Sequence, residues 1–571
     1  MVFAIKEGTL ILVKIIVILV NPTSHFFYRN MMLNFIRAIF QQSFFLSLLV
    51  FAVFSSLATS CSITDAEEPE KRDTGITVVN AYSSIFFDSL NLEQYFVEQK
   101  VADTLQKMIR DFYNVRNFQY AWFDKNGLSE QAIHFRSLLH NYLLTNDDSG
   151  LRNPTIEALW DSVEANNNHL QLSEEEKTNF EFELTRLFYD YAFKAYIGNN
   201  AIDPGALKWF IPRKKVSVTT MLDSLVANKG QNISNYEPVN SQYKLLNDVL
   251  KKLYQIKQQG GWGRTEFTQK KYVPGDDYPE IAWIRNRLFL SGDLALNDSS
   301  TVYDSLLLDG VKNFQLRHGL APDGVIGVGT IAFLNQSVDD IIRKVMINIE
   351  RQRWVPSEPQ TDFLLVNIPE FMLHLYEDGK HVYKMSVVVG STQHNTVIFT
   401  DELKYVVFSP YWNVPPSIYK NEILPGIAKD PNYLARHNME YYGNGVRQKP
   451  GPSNSLGLVK FLFPNNYNIY LHDTPSKSLF NESSRAFSHG CIRVSEPLKL
   501  AEWILRKDTT WNRDKIVEAM NAGKEKYVEV KEKIPVIIGY FTAWVDAEGR
   551  LQLRKDIYGH DEALAAKLFL K

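Results

Sequence analysis

Near Phe363 the spacing of apolar residues changes, and this change constrains the fold more than any other feature of the chain. From about Tyr82 to Gln259, apolar side chains recur three and four residues apart, as in Val97, Val101, Leu105, Ile109 and Phe112, and again in Phe180, Leu184, Leu187 and Tyr191. Such spacing lines one face of a helix, so the region is predicted to be helical. From Phe363 onward come short runs rich in β-branched and aromatic residues: Leu364 to Ile368, Leu373 to Tyr376, Met385 to Val389 and Tyr405 to Phe408. Turn signals such as Glu377-Asp378-Gly379-Lys380 separate them, so a mostly β domain is predicted there. At 571 residues the chain exceeds what one core serves. The expected fold class is a multidomain α+β protein with its helices first and its sheet last.

The first sixty residues read as export machinery. Arg37, an apolar run from Phe44 to Phe54 and the small residues Ala58-Thr59-Ser60 follow in the order of a secretory signal. Cys61 comes directly after, and the segment resembles a bacterial lipoprotein signal. That resemblance implies lipidation of Cys61 and a membrane-anchored protein on the periplasmic side of the cell envelope; a signal anchor that stays in the membrane is the other reading. Thr9 to Val20 is a second apolar run, interrupted by Lys14 and too short to span. Translation is therefore expected to start at Met31 or Met32. Residues 61–78 hold the charged run Asp65 to Asp73, which has almost nothing to bury and is expected to be a disordered tether.

Residues 79–285 form the expected helical scaffold, and no titratable cluster with catalytic spacing occurs in it. Residues 286–340 form a smaller module. In it, Leu307, Val311 and Phe314 line one helix face, Gly319 can end that helix, and Pro322-Asp323-Gly324 makes a turn before a second short helix at Thr330 to Leu334. This pattern resembles the small peptidoglycan-binding domain of cell-wall enzymes. A plain helical packing element is the alternative, because a binding fold need not bind.

Residues 341–530 form the expected catalytic domain, and 531–571 an extension packing on it or on the scaffold. Pro410-Tyr411-Trp412-Asn413-Val414-Pro415-Pro416 is expected as a loop bordering the site, since adjacent prolines remove ladder donors. The insert 418–462 is either a lid or an inert surface excursion.

Two motifs carry the chemistry. Ser488-His489-Gly490-Cys491-Ile492-Arg493 contains one of only two cysteines, and His472 lies nineteen residues earlier in Tyr470-Leu471-His472-Asp473. Cys491 can supply a thiol nucleophile and His472 the base. In a strand Asp473 points away from the His472 face, so a backbone carbonyl is the better candidate to orient the ring. Gly490 permits unusual dihedrals, and its N–H with that of Cys491 can converge on an oxyanion. Arg493 returns to the Cys491 face, where it would lower the thiol pKa and could pair with a substrate carboxylate. Ser495 has the character of an N-cap for a helix carrying Leu498, Leu500 and Ile504. Taken bare, these residues also fit a buried inert thiol, or a metal site of His472, His489 and Cys491.

The surrounding residues point one way. The stretch Ser488 to Val494, preceded by His472, resembles the signature of the L,D-transpeptidases, which remodel peptidoglycan cross-links. Trp412-Asn413-Val414-Pro415-Pro416 and Arg485-Ala486-Phe487 are similar to the large branch of that family, in which a helical scaffold, a peptidoglycan-binding domain and the catalytic domain follow in this order. The resemblance implies Cys491 as nucleophile and His472 as proton donor and acceptor, with Ser488, His489, Gly490 and Arg493 around them and Trp412 and Asn413 on the substrate side. It implies 3-3 cross-linking through a thioester, with a donor tetrapeptide stem and an acceptor amine as partners and no cofactor or metal. Hydrolysis at the same site and a silent peptidoglycan-anchoring lipoprotein are the alternatives. A net charge of −3 gives no basic excess for nucleic acid, which is not expected as a partner.

Overall fold

The computed structural model describes residues 70–81, 83–146, 148–165, 172–199, 201–231, 237, 239–356, 359 and 361–569. The signal segment, Cys61 and the first half of the expected tether, residues 61–69, lie outside them. The scaffold is helical as its spacing predicts, through Ser89–Glu98, Asp103–Asn114, Glu130–Leu143, Pro154–Ala165, Glu174–Ala192 and Val218–Ala227. One small hairpin, β1 (Phe123–Asp124) with β2 (Gly127–Leu128), interrupts it. The helix Glu174–Ala192 starts with a capping box between Ser173 and Glu176, which satisfies otherwise orphaned N–H groups. Its buried face meets a core crowded with rings, among them Phe87, Tyr113, Trp122, Phe135, Phe182 and Phe188. Much of the aromatic content therefore fills this core.

The small module consists of the helices Pro279–Leu290, Ser305–Arg317 and Val328–Leu334. Leu307, Val311 and Phe314 are buried as expected, and Gly319 takes φ +68° just beyond the second helix. The module begins earlier than residue 286, because Ile281 and Ile284 of the first helix share its core. Residue 340 is not a boundary either. The helix Val338–Trp354 runs straight through it and packs Ile341, Ile342 and Val345 against Leu246, Leu250 and Leu253 of the helix Ser241–Gln258.

The C-terminal part is built on a sheet of nine strands: β3 (Phe363–Asn367), β4 (Met372–Glu377), β5 (Lys380–Gly390), β6 (Phe399–Phe408), β10 (Val459–Leu462), β11 (Leu471–His472), β12 (Ala486–Ser488), β13 (Ile492–Val494) and β14 (Lys526–Gly539). They lie in the order β12-β5-β13-β11-β10-β6-β14-β3-β4, and β4 also pairs with β5 and closes the sheet on itself. Closure removes exposed edges, and it explains why Val387, Val388 and Val389 are all fully buried. Strand β14 crosses residue 530 and is sandwiched between β6 and β3, so the sheet domain reaches Gly539. The helix after the cysteine motif is Pro497–Leu505. Glu496 occupies its N-cap position without a side-chain bond, and proline at the helix start supplies the fixed φ, so Ser495 is not the cap.

The excursion between β6 and β10 differs from the expected 418–462 at both ends. Trp412–Asn413 is not loop but the short strand β7, paired with β9 (Gly445–Gln448), which pairs in turn with β8 (Met439–Tyr442). The prolines fit because they fall after β7, where Pro416 opens a helical turn. Val459 to Leu462 belong to the main sheet, paired with β6 and β11, and so are not part of the insert. Within the excursion Val414, Ile423, Met439 and Val446 make a core of their own, flanked by Trp412 and Tyr433. At its base the fully buried Asn454 donates to the carbonyls of Pro410 and Lys449 at 3.1 and 2.9 Å.

After β14 the chain forms the hairpin β15 (Ala543–Val545) with β16 (Leu551–Leu553) and ends in the helix His560–Leu568. Ala543, Val545 and Leu553 join the core between the helices Ser241–Gln258 and Val338–Trp354. Asp561 accepts from the buried Arg351 guanidinium at 2.5 Å and from the Thr542 hydroxyl at 2.7 Å. Thr542 in turn receives a bond from Asn348 at 2.9 Å.

Candidate active site

Cys491 and His472 are brought together by parallel pairing. Strands β11 and β13 align Leu471 with Ile492 and His472 with Arg493, and the Ile492 N–H donates to the Tyr470 carbonyl at 3.1 Å. Cys491, one residue before β13, thus sits beside Tyr470, one residue before β11. The thiol is free and partly buried, and it lies 3.5 Å from the Asn468 carbonyl. Asn468 takes φ +55° in a turn held by the Asn465 side chain, which accepts from the N–H groups of Tyr467 and Ile469. Asparagine tolerates that left-handed conformation better than most residues.

His472 is 4% exposed, and its Nδ1 lies 2.5 Å from the carbonyl of Asp473. That carbonyl fixes Nδ1 as the protonated nitrogen and leaves Nε2 as the acceptor. The Asp473 carboxylate is used elsewhere, as strand alternation predicts. It accepts from the N–H groups of Leu458 and Thr474 at 2.8 and 2.7 Å and from Lys477 at 2.6 Å.

Burial pushes the two titratable groups toward their neutral forms. His472 drops from 6.5 to about 3, first through desolvation and then through the nearby charge of Arg493. The Cys491 thiol is raised by burial, which outweighs the opposing pull of the Tyr470 hydrogen bonds and of Arg493. The expected lowering of the thiol pKa by Arg493 is thus present in sign but loses to desolvation. Burial thus favours thiol and imidazole over thiolate and imidazolium in the resting pair.

The residues around the pair divide in their roles. Ser488 braces the loop: its hydroxyl accepts the Gly490 N–H at 3.1 Å and donates to the Cys491 carbonyl at 2.6 Å. The Gly490 N–H is therefore already committed, which corrects the expectation that it helps bind an oxyanion. Gly490 has φ +113°, a region in which side-chain-bearing residues are strained. Arg493 holds a buried Nε without a hydrogen-bond partner, and its charge acts on both His472 and Cys491. His489 turns away from the sulfur. Its ring lies 4.7 Å from that of His394, and its Nε2 is 3.5 Å from Glu422 of the excursion. His472, His489 and Cys491 accordingly do not converge as a ligand set. Trp412 and Asn413 are placed in the excursion's own sheet, with Trp412 packed against its core.

Tyr470 was missed by sequence reasoning as a site residue, although the signal existed. It lies two residues before His472, on the same strand face, with the rings 5.7 Å apart. Its backbone N–H and its phenol act on the sulfur in the direction that favours the anion that forms there. Thr396, whose hydroxyl donates to the Gly490 carbonyl at 2.8 Å, gave no such signal.

A partly buried free thiol, a buried imidazole oriented by a carbonyl, and a cationic side chain beside both is a layout that can support thiol-dependent acyl transfer. Comparison with known proteins finds similarity along three parts of the chain. Residues 361–535 match the model of the L,D-transpeptidase catalytic domain, residues 107–250 a scaffold domain, and residues 277–334 a peptidoglycan binding domain. The chain thus holds a region similar to the L,D-transpeptidase catalytic domain, preceded by regions similar to a scaffold and to a peptidoglycan-binding domain. A Haemophilus influenzae protein described as "Putative L,D-transpeptidase" is 33% identical over 249 residues, which are 39% of this chain and 49% of that protein. The chain spans about half the length of this curated relative. Among solved structures, an L,D-transpeptidase from Xylanimonas cellulosilytica is 15% identical, covering 48% of this chain and 100% of that one with a TM-score of 0.18. One from Stackebrandtia nassauensis is 13% identical, covering 48% and 98% with a TM-score of 0.21.

Proposed function

We propose that the protein forms 3-3 cross-links in peptidoglycan by cysteine acyl-enzyme chemistry. Cys491 gives its thiol proton to Nε2 of His472 as it attacks the carbonyl of the L,D amide bond after the diamino acid of a donor tetrapeptide stem. The bond to the terminal D-amino acid breaks, that residue leaves with a proton delivered by His472, and a thioester remains on the sulfur. An amine of a neighbouring stem then attacks the thioester, gives up its proton to His472, and the thiol is regenerated. The observation that carries this reading is the pairing of β11 with β13, which places Cys491 and His472 on adjacent chain segments, with Nε2 of His472 left as acceptor by the Asp473 carbonyl. Arg493 supports it as a partner for a substrate carboxylate.

The test incubates protein lacking residues 1–72 with a tetrapeptide-bearing muropeptide and follows the products by mass. Cross-linked dimers are expected. Monomeric tripeptides alone would make it an L,D-carboxypeptidase, and untouched tetrapeptides would leave only peptidoglycan anchoring.

We also propose that Cys61 is lipidated and holds the folded part at the periplasmic side of the envelope. The order of charged, apolar and small residues before Cys61 supports this. Among the described residues no helix is long and apolar enough to cross a membrane. Membrane fractionation of the full chain checks it: Cys61→Ala should lose an acylated, membrane-bound form, and an unacylated Cys61 in the wild type would overturn the proposal.

A further inference from the structure

The backbone that presents Cys491 is steadied from outside the region matched to the catalytic domain. Gly490, with no side chain and φ +113°, has wide conformational freedom, so its carbonyl must be fixed by other groups. Thr396 does this: its hydroxyl donates its single proton to the Gly490 carbonyl at 2.8 Å and accepts the Gly390 N–H at 2.9 Å. The turn from Gly390 to Thr396 is tightly packed, since a side chain at 390 would sit 2.0 Å from the His394 carbonyl.

Tyr558 grips both ends of that turn. Its hydroxyl donates to the Gly390 carbonyl at 2.5 Å and accepts the Thr396 N–H at 3.4 Å. Tyr558 is itself fixed, because its own N–H donates to the Tyr540 hydroxyl at 2.9 Å and the two rings stack 5.7 Å apart. The Tyr540 hydroxyl continues to Asp556 at 2.5 Å, and Asp556 accepts the N–H groups of His560 and Asp561 at the start of the last helix. At the far end of the same loop, the Phe210 N–H of the scaffold donates to the Ile398 carbonyl at 2.9 Å. Neither Tyr558 nor Phe210 lies within residues 361–535.

We infer that Tyr558 is a positioning residue for the transfer reaction, acting through Gly390 and Thr396 to fix the Gly490 carbonyl and thereby the backbone that presents the Cys491 thiol. This rests on the reading of Cys491 as the nucleophile. A hydroxyl at this distance from the sulfur touches no reacting atom, so its effect falls on geometry. Misplacement of a reacting group by about 1 Å can cost on the order of a hundredfold in rate.

The test uses the full folded chain after residue 72 with the tetrapeptide muropeptide. Tyr558→Phe keeps the ring stack but removes the donor to Gly390. It is expected to lower kcat by about ten- to a hundredfold with KM changed less than about twofold. Thr396→Val should lose as much, Thr396→Ser should retain most activity, and Tyr558→Phe combined with Thr396→Val should be no slower than the worse single variant. Wild-type kcat in Tyr558→Phe, or additive losses in the double variant, would overturn the inference. If Tyr558→Phe does not fold, the Thr396 pair decides, and equal activity of the Val and Ser forms overturns it. Cys491→Ala is run alongside. Activity remaining there defeats the nucleophile reading, whereas an inactive Cys491→Ala beside a fully active Tyr558→Phe defeats only the relay.

Discussion

Replacing His472 with alanine is expected to slow release of the terminal D-amino acid by about a thousandfold, within the range for a general acid and base. Cys491→Ala should remove at least as much, and the double variant should be no slower than the worse single one, because the two act as a unit. The reason lies in how burial sets the pair. Since desolvation drives His472 down to about 3 and raises the Cys491 thiol, the sulfur holds its proton at neutral pH until attack begins. Proton transfer must accompany bond formation, and without His472 the remaining acceptor is water. Alkylation of Cys491 in the free enzyme should therefore rise only above the ordinary thiol range. A plateau of alkylation already present at pH 5 would show a preformed ion pair and sink this account. The same shift gives folding a pH dependence. As pH falls below 6.5 the unfolded chain takes up a proton at His472 that the folded one refuses until about 3, so stability declines across that window.

Asp561→Ala is expected to destabilise the protein by about 3–5 kcal/mol, as when one partner of a buried ion pair is removed. Arg351 is 1% exposed, and Asp561 is its partner at 2.5 Å, so truncation strands a buried guanidinium. It also strips the Thr542 hydroxyl of its acceptor. Asp561→Asn keeps a polar group of the same shape and should lose less. A combined Arg351→Met and Asp561→Leu change should recover much of the loss, since well-packed apolar replacements leave no charge unpaired. Denaturant midpoints check this. A midpoint for Asp561→Ala equal to wild type would show that water or another cation already compensates Arg351.

The fold class was legible because apolar spacing is local: Leu307, Val311 and Phe314 declare a helix face, and the valines from 387 to 389 a buried strand. Boundaries were less so, because strand β14 and the helix Val338–Trp354 owe their extent to partners distant in sequence. At the site, the motif displayed Cys491 and His472, and strand alternation set Asp473 aside correctly. It could not show that burial overrides Arg493 at the thiol, since desolvation depends on everything packed above a group. Nor could it show Thr396, ninety-four residues from the Gly490 carbonyl it holds.

The excursion between β7 and β10 has a core of its own, its base is clasped by Asn454, and its return at Leu458 is pinned by the Asp473 carboxylate. Its folding is thus largely self-contained, and its attachment is fixed at points that do not move with its tip. Substitutions at the tip, around Tyr441 to Gly445, are expected to leave His472 in place, since its orientation comes from the Asp473 backbone. The tip of the excursion is thus free to vary, while its base at Asp473 and its Glu422 beside His489 stay tied to the site.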